Sequence, residues 1–142
     1  MTLKKYVLVM VLLLTLAAGC QSLSQETMVL LDEPIAEVNV SKSMGFGEIN
    51  EDFLFNFNDD ETIKIFEKAI LRAKSIDSKA GLTEPEYDIV VVYEGELPSH
   101  VIYLWLGDEN EESMMMYLTD EETAYVTSTK ATNQLRALLL SD

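Results

Sequence analysis

The segment Tyr87 to Tyr93 limits the fold more than any other part of this chain, because Ile89, Val90, Val91 and Val92 put four β-branched side chains in a row. A strand apolar on both faces must be covered on both. It is therefore read as the central strand of a sheet. Glu94-Gly95-Glu96-Leu97-Pro98-Ser99 supplies the turn that follows it. His100 to Leu106 then continues as a strand, with Val101, Tyr103 and Trp105 on one face and Ile102, Leu104 and Leu106 on the other. Gly107 to Glu112 is an acidic turn. Met114 to Leu118 and Ala124 to Thr127 read as two more strands, with Thr119-Asp120-Glu121-Glu122 between them.

Upstream of the central strand, Ile35 to Ser41 alternates, with Ala36, Val38 and Val40 facing one way. Phe53, Phe55 and Phe57 mark a second strand over residues 53–57, paired with the first through the loop Ser43-Met44-Gly45-Phe46-Gly47. Two glycines around an aromatic indicate a backbone that needs φ > 0 or close approach. Asn58, Asp59 or Asp60 can cap the helix that follows, and Asn58 and Glu61 have capping-box spacing. Its apolar face is Ile63, Phe66, Ala69, Ile70 and Ala73, and Gly81 is the expected stop. Ser128 caps a last helix with Ala131, Leu135, Leu138 and Leu139 on one side. The order is β-β-α-β-β-β-β-α. The expected fold is α+β: a single two-layer domain over residues 34–142, mainly antiparallel, covered by two amphipathic helices.

The N-terminus has a different character. Lys4 and Lys5 precede an apolar run from Tyr6 to Leu16, then small residues, then Cys20, the only cysteine. The run has about 11 residues where a membrane span needs roughly 20. Leu16-Ala17-Ala18-Gly19-Cys20 resembles the lipobox of bacterial lipoproteins, with Ala17 where leucine is commonest in such signals. That resemblance implies cleavage after residue 19 and diacylglyceryl transfer to the Cys20 thiol, so that residues 1–19 are a signal peptide. Two acyl chains anchor stably where one binds only marginally. Residues 20–33 are then a tether, which keeps the domain within at most about 50 Å of the membrane. Met28, Val29, Leu30 and Leu31 are too apolar for a solvated linker and are expected to dock on the domain or form a short strand.

Loss of residues 1–19 leaves 8 basic against 25 acidic residues, a formal charge of −17. Nucleic-acid binding needs a basic footprint, and this chain lacks one. Overall acidity argues equally against direct adhesion to anionic head groups. With Cys20 committed to lipid, no thiol remains for disulfide, zinc or redox chemistry.

Val38-Asn39-Val40-Ser41-Lys42-Ser43-Met44-Gly45-Phe46-Gly47, the helix opening Asp60 to Ile70, the stretch Pro85 to Tyr93 and Tyr103-Leu104-Trp105-Leu106 together are similar to the YhfM-like lipoproteins of Bacillus and relatives. The likeness spans roughly residues 35–140. It implies a lipid-anchored protein on the outer face of the cell membrane, with no catalytic residues or cofactor to carry over.

His100, the only histidine, has no glycine-framed serine to serve and reads as a packing or surface residue. Asp108-Glu109-Asn110-Glu111-Glu112, and Asn56, Asn58, Asp60 and Glu67, approach calcium-loop spacing. Both lack the glycine at loop position 6, where Ser113 and Glu61 stand. Met114-Met115-Met116 with Met44 and His100 offers soft ligands, but Met115 must point away from its neighbours. Phe46, framed by Gly45 and Gly47, is the candidate partner contact. No catalytic set and no metal site is expected. The sequence supports a non-enzymatic module acting on another envelope protein, with a solute- or calcium-binding lipoprotein as the alternative.

Overall fold

The computed structural model describes residues 2–4, 25–77 and 81–141. Cys20 and nearly all of the expected signal peptide lie outside the described residues. Seven antiparallel strands form one sheet: β1 (Ile35–Lys42), β2 (Phe55–Phe57), β3 (Lys74–Ile76), β4 (Tyr87–Tyr93), β5 (His100–Trp105), β6 (Ser113–Tyr117) and β7 (Asp120–Thr127). Their spatial order is β2-β1-β4-β5-β6-β7-β3. Helices α1 (Asp60–Leu71) and α2 (Thr129–Leu139) pack on one face. The α+β architecture expected from the sequence is the one observed, with one strand more.

β4 is interior, between β1 and β5, and every residue from Tyr87 to Tyr93 is buried or half-buried. Its helix-side residues Ile89, Val91 and Tyr93 meet Val38, Val40, Ile102, Leu104 and Met115 from neighbouring strands. Ile63, Phe66, Ala69 and Ile70 of α1 and Leu135 and Leu139 of α2 close this core from above. Burying a large apolar side chain stabilises by about 1.5–3 kcal/mol, so this face carries most of the folding free energy.

Asp59 is the cap of α1, its carboxylate accepting from the Thr62 N–H at 2.9 Å. Ser128 caps α2 through the Ala131 N–H. The expected stop of α1 at Gly81 is not observed. The helix ends at Leu71, and Lys74–Ile76 forms strand β3 on β7. Tertiary partners override the helical spacing that runs through Ala73. The Thr127 hydroxyl donates to the Ala69 carbonyl at 2.8 Å, and the Ala73 carbonyl accepts from Met28 N–H at 3.1 Å. Helix α1 thus carries the chain from one sheet edge, β2, to the other, β3.

Two smaller differences concern strand ends. The second strand is three residues long, with Phe53 and Leu54 left exposed. The expected turn over 119–122 is tighter, since Asp120 already pairs with Tyr117 and β7 begins there.

Met28 to Leu31 dock as expected from their apolarity. Thr27 bridges Lys74, which adds a short backbone pairing outside β3. Met28 is 1% exposed and belongs to the main core. Val29 exchanges two hydrogen bonds with the Tyr117 hydroxyl, and Leu31 N–H donates to the Tyr93 hydroxyl at 3.1 Å. Residues 26–34 therefore form a strap that crosses the sheet from β3 toward β1 on the helix side. Any free tether after Cys20 ends at Glu26.

Candidate functional site

The sheet face opposite the helices is covered by the chain between β1 and β2, residues 43–54. Gly45 and Gly47 have φ of 101° and 84°, which a side chain would strain. These two residues turn the loop back over β5, where the Gly47 N–H donates to the Tyr103 hydroxyl at 2.6 Å. Between them the Phe46 ring meets Tyr103 edge-on at 5.5 Å and leans on Trp105 at 6.0 Å. Trp105 is fixed in turn by its indole N–H donating to the Thr83 carbonyl. Phe46 is thus half seated on the sheet and still 41% exposed. Its neighbours Met44, Ile49, Phe53 and Leu54 are exposed as well.

Beneath this loop lies a buried row that sequence reasoning missed. Ser41, Asp88 and Tyr103 are direct cross-strand partners on β1, β4 and β5, and all three are fully buried. One Asp88 carboxyl oxygen accepts from the Asn50 N–H at 3.0 Å. The other, and the Ser41 hydroxyl, have no hydrogen-bond partner among the described residues. Burial pushes the Tyr103 phenol up. The single signal for this row was a carboxylate inside an otherwise apolar strand. Toward the β2 edge the same face is polar and satisfied, with the Asn39 and Asn56 side-chain amides donating to the two Glu37 oxygens at 3.0 Å each. Those bonds hold the Glu37 carboxyl below its ordinary range.

On the helix face, His100 lies close to the strap. Its Nδ1 is 2.7 Å from the Tyr93 hydroxyl, and its ring packs on Tyr117 at 6.0 Å. Burial pushes the imidazole down and the Tyr93 and Tyr117 phenols up. The side chain reads as a packing residue in a hydrogen-bonded aromatic cluster.

The remaining candidates are dispersed. Arg136 closes the acidic turn, donating to the Gly107 carbonyl at 3.0 Å and pairing with Asp108 at 3.7 Å. Asn133 and Asn110 exchange two more hydrogen bonds there. A cationic side chain thus stands where a calcium ion would be expected to neutralise the turn. Asn56 is engaged with Glu37 and Asn39, and Glu67 lies on α1 beside Glu33 and Glu94. Met115 packs in the helix-side core, whereas Met114 and Met116 lie on the opposite face, so His100 and those methionines do not converge. Among the described residues, no three His, Cys, Asp or Glu side chains are grouped to hold a metal. No helix among them is long and apolar enough to cross a membrane.

One antiparallel sheet with two helices on one face and a glycine loop sealing the other defines a small α+β domain whose distinctive surface is that loop. Within this class the chain belongs to the YhfM family, described as YhfM protein, whose pattern residues 37–142 match. The fold is also similar to the crystal structure of a thioesterase-like protein from Clostridium sporogenes, with a TM-score of 0.59 and 18% identity over 76% of this chain and 96% of that one. At that identity the likeness concerns the fold. No curated protein sequence matches the chain.

Proposed function

We propose that this protein is a lipid-anchored, extracytoplasmic accessory module that binds another envelope protein through the loop between β1 and β2 and catalyses no reaction. The observation that carries the reading is where the exposed apolar side chains sit. Met44, Phe46, Ile49, Phe53 and Leu54 are five exposed large apolar residues within one loop. Concentrations of this kind mark interaction sites, whereas scattered single residues need no explanation. The loop rests on a sheet through Gly47, Tyr103 and Asn50, so its apolar side chains are presented by a rigid support. It runs directly into β2, the edge strand, whose outer side pairs with no strand among the described residues and can take a partner strand. The lipobox ending at Cys20 supports the anchor.

In-cell cross-linking of the lipidated protein tests this, with Phe46→Ala as the comparison. One envelope protein captured by the wild type and lost in the variant is the expected result. Equal capture by both, or none, removes the loop from the account.

A second reading, hydrolysis of a thioester, draws on the fold likeness and on the buried Ser41–Asp88–Tyr103 row. It is the weaker, because all three side chains are fully buried beneath the loop. Turnover of a short acyl-thioester by the wild type that Asp88→Asn abolishes would reverse the order. The calcium-binding alternative is weaker still, since Arg136 already satisfies the acidic turn. Calcium-dependent thermal stabilisation would revive it.

A further inference from the structure

Five of the eight basic residues that follow Cys20, namely Lys64, Lys68, Arg72, Lys74 and Lys130, lie on the two helices or at the end of α1. Lys64, Lys68 and Arg72 recur at intervals of four on α1 and so form one stripe along that helix. Lys68 and Arg72 share a groove with Lys130 of α2 and with Gln134, and no carboxylate lines it. Glu61 borders the stripe at its far end, beside Lys64. Lys64 also lines a groove with Glu33, Asp60, Glu67 and Glu94, so the carboxylates gather at its end of the stripe and leave the Lys68–Arg72–Lys130 end without them. Lys68, Arg72 and Lys130 are exposed, and none of the four cations has a salt bridge among the described residues. Lys68, Arg72 and Lys130 fold toward one another around a groove without a carboxylate, and like charges so placed repel, so the fold gains nothing from that arrangement.

The same corner is where the chain leaves the domain toward Cys20. The Glu26 carbonyl accepts from Ser75 N–H at 2.7 Å, Thr27 pairs with Lys74, and Met28 N–H donates to the Ala73 carbonyl. The first docked residues thus lie beside Lys74 and next to Arg72, the cap of α1. Five residues lie between Cys20 and Glu26, six steps along the chain and a reach of at most about 20 Å. Exposed Glu26 and Asp77 are the acids beside this exit.

We propose that the stripe Lys64, Lys68 and Arg72, with Lys74 and Lys130, is a docking surface for the phosphate-bearing head groups of an anionic bilayer, and that it orients the domain with its helix layer toward the membrane. The inference rests on the lipid anchor at Cys20. Net charge argues against free adhesion, but the anchor already holds the domain at the surface. Charges interact there over about 8 Å at physiological ionic strength, so most acids on the opposite sheet face are screened out. Each basic residue near an anionic surface favours the docked state about fivefold. In this orientation the sheet face with the Phe46 loop is turned away from the bilayer, toward other envelope components.

The test uses the lipidated protein in vesicles of phosphatidylcholine alone or enriched in phosphatidylglycerol, labelled with an impermeant amine-acylating reagent and read by peptide mass spectrometry. Lys68 and Lys130 are expected to label about fivefold or more slowly on the anionic vesicles than on phosphatidylcholine alone. Salt at about 1 M, where the screening length is about 3 Å, is expected to erase the difference. The exposed substitutions Lys68→Glu with Lys130→Glu are expected to restore fast labelling of Lys64. Equal labelling on both vesicles, with the anchor in place, overturns the docking. Protection by inorganic polyphosphate on phosphatidylcholine vesicles, as strong as that on anionic ones, assigns the patch to a soluble polyanion and overturns it too. The intact mass of the same preparation reads the anchor separately: a Cys20 without lipid overturns the anchoring and, with it, the orientation.

Discussion

Tyr93 Oη and His100 Nδ1 lie 2.7 Å apart, and the same hydroxyl accepts from the Leu31 N–H of the strap. When the ring is neutral and unprotonated at Nδ1, Tyr93 gives that nitrogen its one hydrogen. Protonation of the ring would put a hydrogen on that nitrogen, and the hydroxyl would have to turn its own hydrogen away and accept instead. Burial also disfavours the charged ring, so the folded-state pKa lies below the ordinary value of about 6.5. The stabilisation is therefore present in full above about pH 6.5 and is lost as pH falls from there through the depressed value. His100→Asn keeps an acceptor near Nδ1 and cannot titrate. The wild type is expected to lose melting temperature relative to this variant between about pH 7.5 and about pH 5. Parallel profiles would show that the imidazole is not held neutral.

The strap makes a second prediction, at a residue that a linker reading would call dispensable. Met28 is 1% exposed and packs in the same core as the two helices. Truncation of a buried methionine costs about 2–5 kcal/mol. Met28→Ala should show that loss in chemical denaturation, while the neighbouring exposed Val29→Ala should lie within about 0.5 kcal/mol of wild type. A silent Met28→Ala would mean that the strap detaches in solution.

How far the fold could be read ahead of the structure depended on how much of each element's signal is local. Ile89 to Val92 announced an interior strand because continuous apolarity needs cover on both faces. Strand β3 was hidden: Lys74-Ser75-Ile76 has one apolar residue and continues the spacing of α1, and its pairing with β7 is about fifty residues away in sequence. The Phe46 loop was legible through its glycines. The row under it was not, because only the strand register places Ser41 beside Asp88. Lys64, Lys68 and Arg72 have helical spacing in the sequence, but their nearness to the proposed anchor depends on the bridge between Thr27 and Lys74.

Two glycines separate strain from crowding. Gly47 has φ of 84°, yet a Cβ there would meet nothing within 4 Å. Gly47→Ala should therefore cost only the left-handed backbone, about 1–2 kcal/mol. Gly107 is the reverse case, since a Cβ would lie 2.2 Å from the Glu112 backbone oxygen. Gly107→Ala is expected to cost about 1–3 kcal/mol and to open the acidic turn that Arg136 and Ser113 hold. Amide exchange across residues 107–112 should rise in Gly107→Ala and stay unchanged in Gly47→Ala.

Asp88 tests whether the buried row is retained for a reason other than stability. One of its carboxyl oxygens binds the Asn50 N–H, and the other, directly across from the Ser41 hydroxyl, has no partner among the described residues, nor has that hydroxyl. An unsatisfied buried polar group costs roughly 1–3 kcal/mol. Asp88→Asn preserves shape, keeps an oxygen for Asn50, and places an N–H donor on the side of Ser41. It is expected to raise the melting temperature, whereas Asp88→Ala, which strands the Asn50 amide, is expected to lower it. A carboxylate whose amide replacement is more stable is one kept at the expense of stability, the pattern of residues held for function. That outcome would make the Ser41–Asp88–Tyr103 row the first place to look for chemistry once the loop above it opens. A fall in stability for Asp88→Asn would instead mark the carboxylate as a structural anchor of the loop and tie Phe46 more firmly to the sheet.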